Sequence, residues 1–189
     1  MAWVKGNRYL SLEEMQNNAL IIYNYFTEKG WSINAICGML GNMQAESTIN
    51  PGIWQSLIEG SGGGGGWGLV QWTPWTNFTN WADSKGYSHD DGYAQCEWIE
   101  TQTKATGQWI QTASYPITWD NFKVSVGTPE WLAYAFLFNF ERPASLDKPE
   151  RQTQARYWYD YITNGEHPIT PTPSTRRKMP LWFMLRRRY

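Results

Sequence analysis

Apolar residues recur at helical spacing along most of the chain, and the polar residues between them mark where helices start and stop. The first segment opens at Ser11-Leu12-Glu13-Glu14, a capping box in which Ser11 caps and Glu14 reaches back. Met15, Ala19, Ile22 and Phe26 then form one stripe, and Gly30 ends it. The second segment opens at Ser32 and carries Ile33, Ile36, Cys37, Leu40 and Met43. Further helices are predicted from Thr73-Pro74 to about Lys85, from Asp90 to about Thr106, and briefly after Thr118. Another runs from Thr128-Pro129 through Phe140. Its residues 131–140 are apolar nearly all round, which marks it as the expected central helix. A last one starts at Pro149, turns Ala155, Trp158, Tyr159 and Ile162 inward, and stops at Gly165. Residues 1–10 read as a lead-in strand or arm. Residues 53–72 are short apolar pieces around the glycines at 62–66 and predict a small, irregular β-element. The whole pattern predicts a mainly α (α+β) domain of about seven helices over residues 1–165.

Helical phase singles out one acidic residue. Three positions beyond Met43, the second stripe reaches Glu46, at the end of its helix and on the buried face. Burial favours a neutral carboxyl over a carboxylate, which suits a general acid. The alternative is a helix-end carboxylate turned out to solvent. Between Glu46 and Asp83 the one other acid is Glu59, across a turn from Glu46. It is the candidate second carboxylate, or else a solvated loop charge. The glycine run does not make a phosphate loop, because Trp67-Gly68 follows it where Lys-Ser/Thr is required. It reads as a flexible loop over a cleft or as a plain surface loop.

Composition narrows the chemistry. The chain has 13 Trp and 11 Tyr, and flat amphipathic rings suit sugar faces as well as cores. Six basic residues crowd the last 14 positions, so the remainder of the chain is acidic, which argues against nucleic acid as a partner. Two cysteines, Cys37 and Cys96, sit in apolar contexts and read as buried free thiols. A thiol enzyme pairing one of them with His89 is therefore disfavoured. With two His and no Cys/His cluster, neither a metal nor another cofactor is expected. The N-terminus lacks a signal-peptide pattern, and no apolar run is long enough to span a bilayer. Residues 166–189 change character, with a proline-containing linker followed by a basic-apolar tail. That tail reads as an unordered end, or as a segment contacting an anionic membrane.

Several separated motifs carry a resemblance. Glu46-Ser47-Thr48-Ile49-Asn50-Pro51 followed by Gly68-Leu69-Val70-Gln71 resembles the pattern of goose-type lysozymes and soluble lytic transglycosylases. The match is closer to the phage tail lysozyme family, the wall-degrading domain of tail-tip and tail-knob proteins. It adds Ala35-Ile36-Cys37-Gly38-Met39-Leu40-Gly41-Asn42-Met43-Gln44, Gly52-Ile53-Trp54-Gln55, Trp72-Thr73-Pro74 and Phe140-Glu141-Arg142-Pro143, and it covers about residues 8–164. The resemblance implies a lysozyme-like fold, residence in a virion tail, and cleavage of the β-1,4 bond between N-acetylmuramic acid and N-acetylglucosamine. It implies Glu46 as the catalytic acid, Gln71 lining the cleft, and Ser47 as a supporting hydrogen-bonding residue. Trp67 and Trp72, which flank Gln71, join them as expected substrate-binding residues. The implied partners are bacterial peptidoglycan and other phage tail proteins. A lytic transglycosylase using the same Glu, and a non-catalytic wall-binding tail component, are the alternatives. In several such proteins a peptidase domain follows the linker; here the linker leads to the basic tail.

Overall fold

The computed structural model describes residues 1–60, 65–143 and 147–165. Expectations for the tail at 166–189 and for most of the glycine run lie outside the described residues. Among the described residues there are seven α-helices: α1 (Leu12–Glu28), α2 (Ile33–Ser47), α3 (Thr76–Lys85), α4 (Gly92–Ala105), α5 (Trp119–Lys123), α6 (Pro129–Phe136) and α7 (Pro149–Thr163). Their ends follow the capping chemistry. Ser11 and Glu14 complete the capping box, and Ser32, Asp91, Thr118 and Thr128 each accept a backbone N–H at a helix start.

The central helix is α2, not the segment at 131–140. Every residue of α2 from 35 to 43 is buried, and α1, α5, α6 and α7 all pack on it. Two glycines make this possible. A Cβ on Gly38 would lie 2.9 Å from the Ala133 nitrogen of α6, and one on Gly41 would lie 2.5 Å from the Arg151 carbonyl oxygen of α7. Both neighbours approach α2 backbone to backbone, which a side chain would forbid. Helix α6 keeps one side in solvent, with Trp131 38% exposed.

Helix α6 also stops short of Phe140. A π-helical turn, Leu137–Glu141, takes over and closes with the Arg142 N–H donating to the Leu137 carbonyl at 2.8 Å. Such wide turns shift the side chains beyond them around the helix axis. Asn139, fully buried in this turn, stitches it to the loop before α5. Its Oδ1 accepts from the Thr112 backbone at 2.9 Å, and its Nδ2 donates to the Tyr115 carbonyl at 2.9 Å.

Two local expectations change. Thr73 does not cap α3: its hydroxyl bonds the Gln71 carbonyl at 3.0 Å, the Thr73-Pro74 peptide is cis, and α3 starts at Thr76. Among the described residues of 53–72, the β-element reduces to isolated antiparallel bridges joining Trp54 with Trp67 and Trp67 with Trp72. The lead-in is an arm without a strand. Asn18 holds it by bonds to both polar backbone atoms of Val4, at 2.9 and 2.7 Å, and Asn50 holds it through the Gly6 and Arg8 carbonyls, at 2.7 and 2.6 Å.

Most tryptophans serve the core. Trp31, Trp109 and Trp119 cluster with Phe122, while Trp72 stacks on Phe78 and meets Trp98 edge-on. Cys37 and Cys96 are free and buried, and burial pushes both thiols up, away from nucleophilic thiolate.

Candidate active site

Glu46 lies in the last turn of α2, just before the helix is broken by two consecutive left-handed residues, Thr48 (φ 52°) and Ile49 (φ 55°). Non-glycine residues hold that conformation at some cost, and such outliers gather at functional sites. The Glu46 side chain is half-buried, with 28% exposed, rather than turned fully into the core. Arg151, from the first turn of α7, donates from Nη2 to Glu46 Oε1. The same guanidinium donates from Nη1 to the Asn42 carbonyl at 2.6 Å and stands 3.9 Å from Glu141 Oε2. The Arg151 side chain is only 4% exposed, so its charge is committed to this place.

Glu141 closes the group. It ends the π-helical turn, and its side chain is 8% exposed. With both carboxyls ionised, neither Glu141 oxygen would have a hydrogen-bond donor. A proton on Glu141 removes its repulsion with the Glu46 carboxylate. Burial, followed by the charge of Glu46, therefore holds the Glu141 carboxyl well above the usual carboxylate range, against the pull of Arg151.

A cleft runs past these groups as two adjoining cavities of about 190 and 160 Å³. Glu46, Gln71 and Thr73 border both. The larger continues over Trp72, Asn77, Gln108 and Glu141; the smaller continues over Tyr9, Trp54 and Gln55. Amide side chains and aromatic rings thus line the path, and the ionisable carboxyls stand at its middle. Such walls suit a neutral polyhydroxylated chain carrying acetamido groups. Among the described residues, no three His, Cys, Asp or Glu side chains gather as a metal site.

The expected substrate residues fall into two groups. Gln71 faces the cleft from a left-handed backbone (φ 50°), with its Nε2 donating to the Gly68 carbonyl at 3.0 Å. Gly66 leaves room for it, since a Cβ there would lie 2.8 Å from Gln71 Oε1. Trp72 is 3% exposed and shows an edge to the larger cavity. Trp67 borders neither cavity; it packs under Trp54 at 4.6 Å and donates to the His89 carbonyl at 3.1 Å. Ser47 is fully buried and out of reach of a ligand, with its hydroxyl 2.8 Å from the Leu69 carbonyl and 2.9 Å from that of Met43. It ties the end of α2 to the Gly68-Leu69-Val70-Gln71 turn. The other side of that turn is fixed by buried Gln95, which accepts from the Leu69 N–H at 2.8 Å and donates to the Pro51 carbonyl at 2.7 Å. Ser47→Ala should therefore lower stability by roughly 1–3 kcal/mol, the cost of a buried carbonyl left without a donor. Thermal unfolding measures that loss, and glycan affinity should stay unchanged.

Glu59 is exposed in the loop after Trp54 and borders neither cavity. The carboxyl beside Glu46 is Glu141, from the Phe140-Glu141-Arg142-Pro143 motif. Sequence reasoning also missed Arg151, Tyr9, Trp54, Asn77 and Gln108 as parts of the cleft. Arg151 had a signal: it lies four positions before Ala155 on the inward stripe of α7.

The chain is 49% identical over 157 residues to Morphogenesis protein 1 of Bacillus phage B103, an alignment covering 83% of this chain and 42% of that relative. The chain thus spans under half the length of the curated relative it matches. Residues 17–162, which include Glu46, Gln71, Glu141 and Arg151, match the phage tail lysozyme description. The chain belongs to the phage tail lysozyme family.

Proposed function

We propose that this chain cleaves the β-1,4 bond between N-acetylmuramic acid and N-acetylglucosamine in bacterial peptidoglycan, with Glu46 protonating the leaving oxygen. The observation that carries this reading is the position of Glu46: an accessible carboxyl where the two cavities of the cleft meet. A sugar chain laid through the cleft has one glycosidic oxygen at that junction. Gln55, Gln71, Asn77 and Gln108 then face hydroxyl and acetamido groups, and Tyr9 and Trp54 face sugar rings. Family membership supports the reaction class, and the phage relative supports a place in a virion tail that breaches the cell wall.

The second half of the reaction follows from where the carboxyls stand. Paired glycosidase carboxylates flank the sugar about 5–5.5 Å apart in retaining enzymes and about 6.5–9.5 Å apart in inverting ones. Glu141 and Glu46 are held by the same Arg151 guanidinium, which places them as one group rather than as a pair on opposite sides of the sugar. Among the described residues, neither cavity has another acid on its wall. The positive charge developing at the sugar is then met by the substrate's own acetamido oxygen, or by direct attack of water. The same absence favours a second reading, in which the substrate's 6-hydroxyl closes on the anomeric carbon as in lytic transglycosylases. Mass spectrometry of purified wall digested by the protein should show soluble disaccharide-peptides. Reducing ends identify hydrolysis, and products lighter by one water identify the transglycosylase. Wall that binds the protein and releases neither product would overturn both.

A further inference from the structure

Glu141 is more deeply buried than Glu46, lines the larger cavity with it, and shares its arginine. A buried carboxylate without a donor is costly, and two together more so. The surroundings count the charges. Glu46 faces Glu141 from α2, Arg151 from α7 stands 3.9 Å away, and Lys148 adds a weaker favourable charge from just before α7. Glu150 stands 3.9 Å from Arg151 Nε and draws part of that positive charge outward. One guanidinium thus serves two carboxyls of the cleft and is itself pulled toward a third acid.

We infer that Glu46 and Glu141 work as one unit holding a single proton, with Glu141 its resting place and Arg151 the counter-charge for the doubly ionised state. In the resting cleft the Glu141 hydroxyl donates to Glu46, whose other contact is the Arg151 guanidinium. When a glycosidic oxygen seats against Glu46, the proton leaves Glu141 for Glu46, and Glu46 passes it to that oxygen. The bond from the anomeric carbon to the oxygen breaks with its electron pair staying on the oxygen, which departs as a hydroxyl. The pair is left as two carboxylates beside Arg151. The incoming nucleophile, water or the sugar's 6-hydroxyl, bonds to the anomeric carbon and loses one proton, which returns to the pair. Glu141 acts through Glu46 and is a positioning residue. The inference rests on the proposed glycosidase reading for its catalytic part alone.

Two measurements test it. The first needs no activity. With side-chain ¹³C-labelled glutamate, the wild type should show one carboxyl titrating far above the rest, and Glu46→Gln should move that titration down. No outlying carboxyl, or one that stays in place when Glu46 is changed, overturns the shared proton whether or not the protein cleaves wall. The second is the pH profile of glycan release by Glu141→Gln, which keeps volume and a donor toward Glu46 but stores no proton. With one carboxyl in place of two, no group beside Arg151 stores the proton up to the pH that buried Glu141 does. The alkaline limb should therefore move to lower pH, with KM unchanged. An alkaline limb identical to wild type overturns the inference. If Glu141→Gln does not fold, the carboxyl titration of wild type and Glu46→Gln decides alone.

Discussion

Glu46→Gln should lower the rate of glycan release from purified cell wall by about 10²–10⁴-fold, the range a positioned general acid contributes. The amide cannot give up a proton to a glycosidic oxygen, yet it preserves the shape of the side chain and an oxygen for the Arg151 Nη2 bond. Fold should survive because Glu141 stands ready as a second anionic partner, 3.9 Å from Arg151 Nη1. Removing one partner of a buried ion pair is severe mainly when it strands the other charge. Here, losing the Glu46 charge lets Glu141 ionise and pair in its place. Equal thermal unfolding of the two proteins, with reducing or anhydro ends counted against time, separates lost chemistry from lost structure. Glu59→Gln is the informative companion. Exposed and outside both cavities, that side chain should tolerate the change with no fall in rate. If Glu46→Gln clears wall as fast as the parent, Glu46 is not the acid. If Glu59→Gln matches its loss, the cleft is assembled differently from the one described.

The helices were legible because their signals are local. Ser11 with Glu14, Ser32, Thr118 and Thr128-Pro129 each act within one turn of themselves, and each stands at a helix start. Glu46 was legible for a related reason: a straight helix carries its phase forward, so Met43 points to Glu46. The same step backward from Ala155 reaches Arg151, whose charge disguised it as a surface residue. Glu141 could not be reached this way. The π-helical turn at Leu137–Glu141 resets the phase, and nothing local in 131–140 announces a hydrogen bond reaching five residues. The carboxyl pair is also a tertiary fact, made by segments some 95 positions apart in the chain, and no periodicity couples them. The segment at 131–140 reads as the central helix because it is apolar nearly all round, whereas α2 takes that place because Gly38 and Gly41 let the neighbouring helices surround it. At Thr73-Pro74 the sequence reads as a cap, but the Thr73 hydroxyl bonds the Gln71 carbonyl behind it instead of the backbone ahead, and α3 starts at Thr76.

Gly41→Ala should lose both stability and activity, although a scale of helix propensity alone says the opposite. Alanine in the middle of a helix gains roughly 0.8–1.0 kcal/mol over glycine. Against that gain, the new Cβ would lie 2.5 Å from the Arg151 carbonyl oxygen and 2.8 Å from the Ala155 nitrogen. Both are backbone atoms of α7, so no side chain can rotate away and the helix itself must move. Overpacking of this kind costs about 1–3 kcal/mol, occasionally more, and should outweigh the propensity gain. The displaced residue is the one whose guanidinium bonds Glu46 and stands beside Glu141. A shift of about 1 Å in a catalytic group can lower a rate by about 10²-fold. Measured well below its unfolding temperature, the variant should therefore cleave more slowly by about 10- to 100-fold while fully folded. Stability and rate report on one displacement: α7 pressed against α2 is what carries Arg151 to the carboxyl pair. A Gly41→Ala protein that unfolds at a higher temperature and keeps its rate would show that α2 and α7 are not in backbone contact at this point. The arginine would then have to reach the cleft by another path.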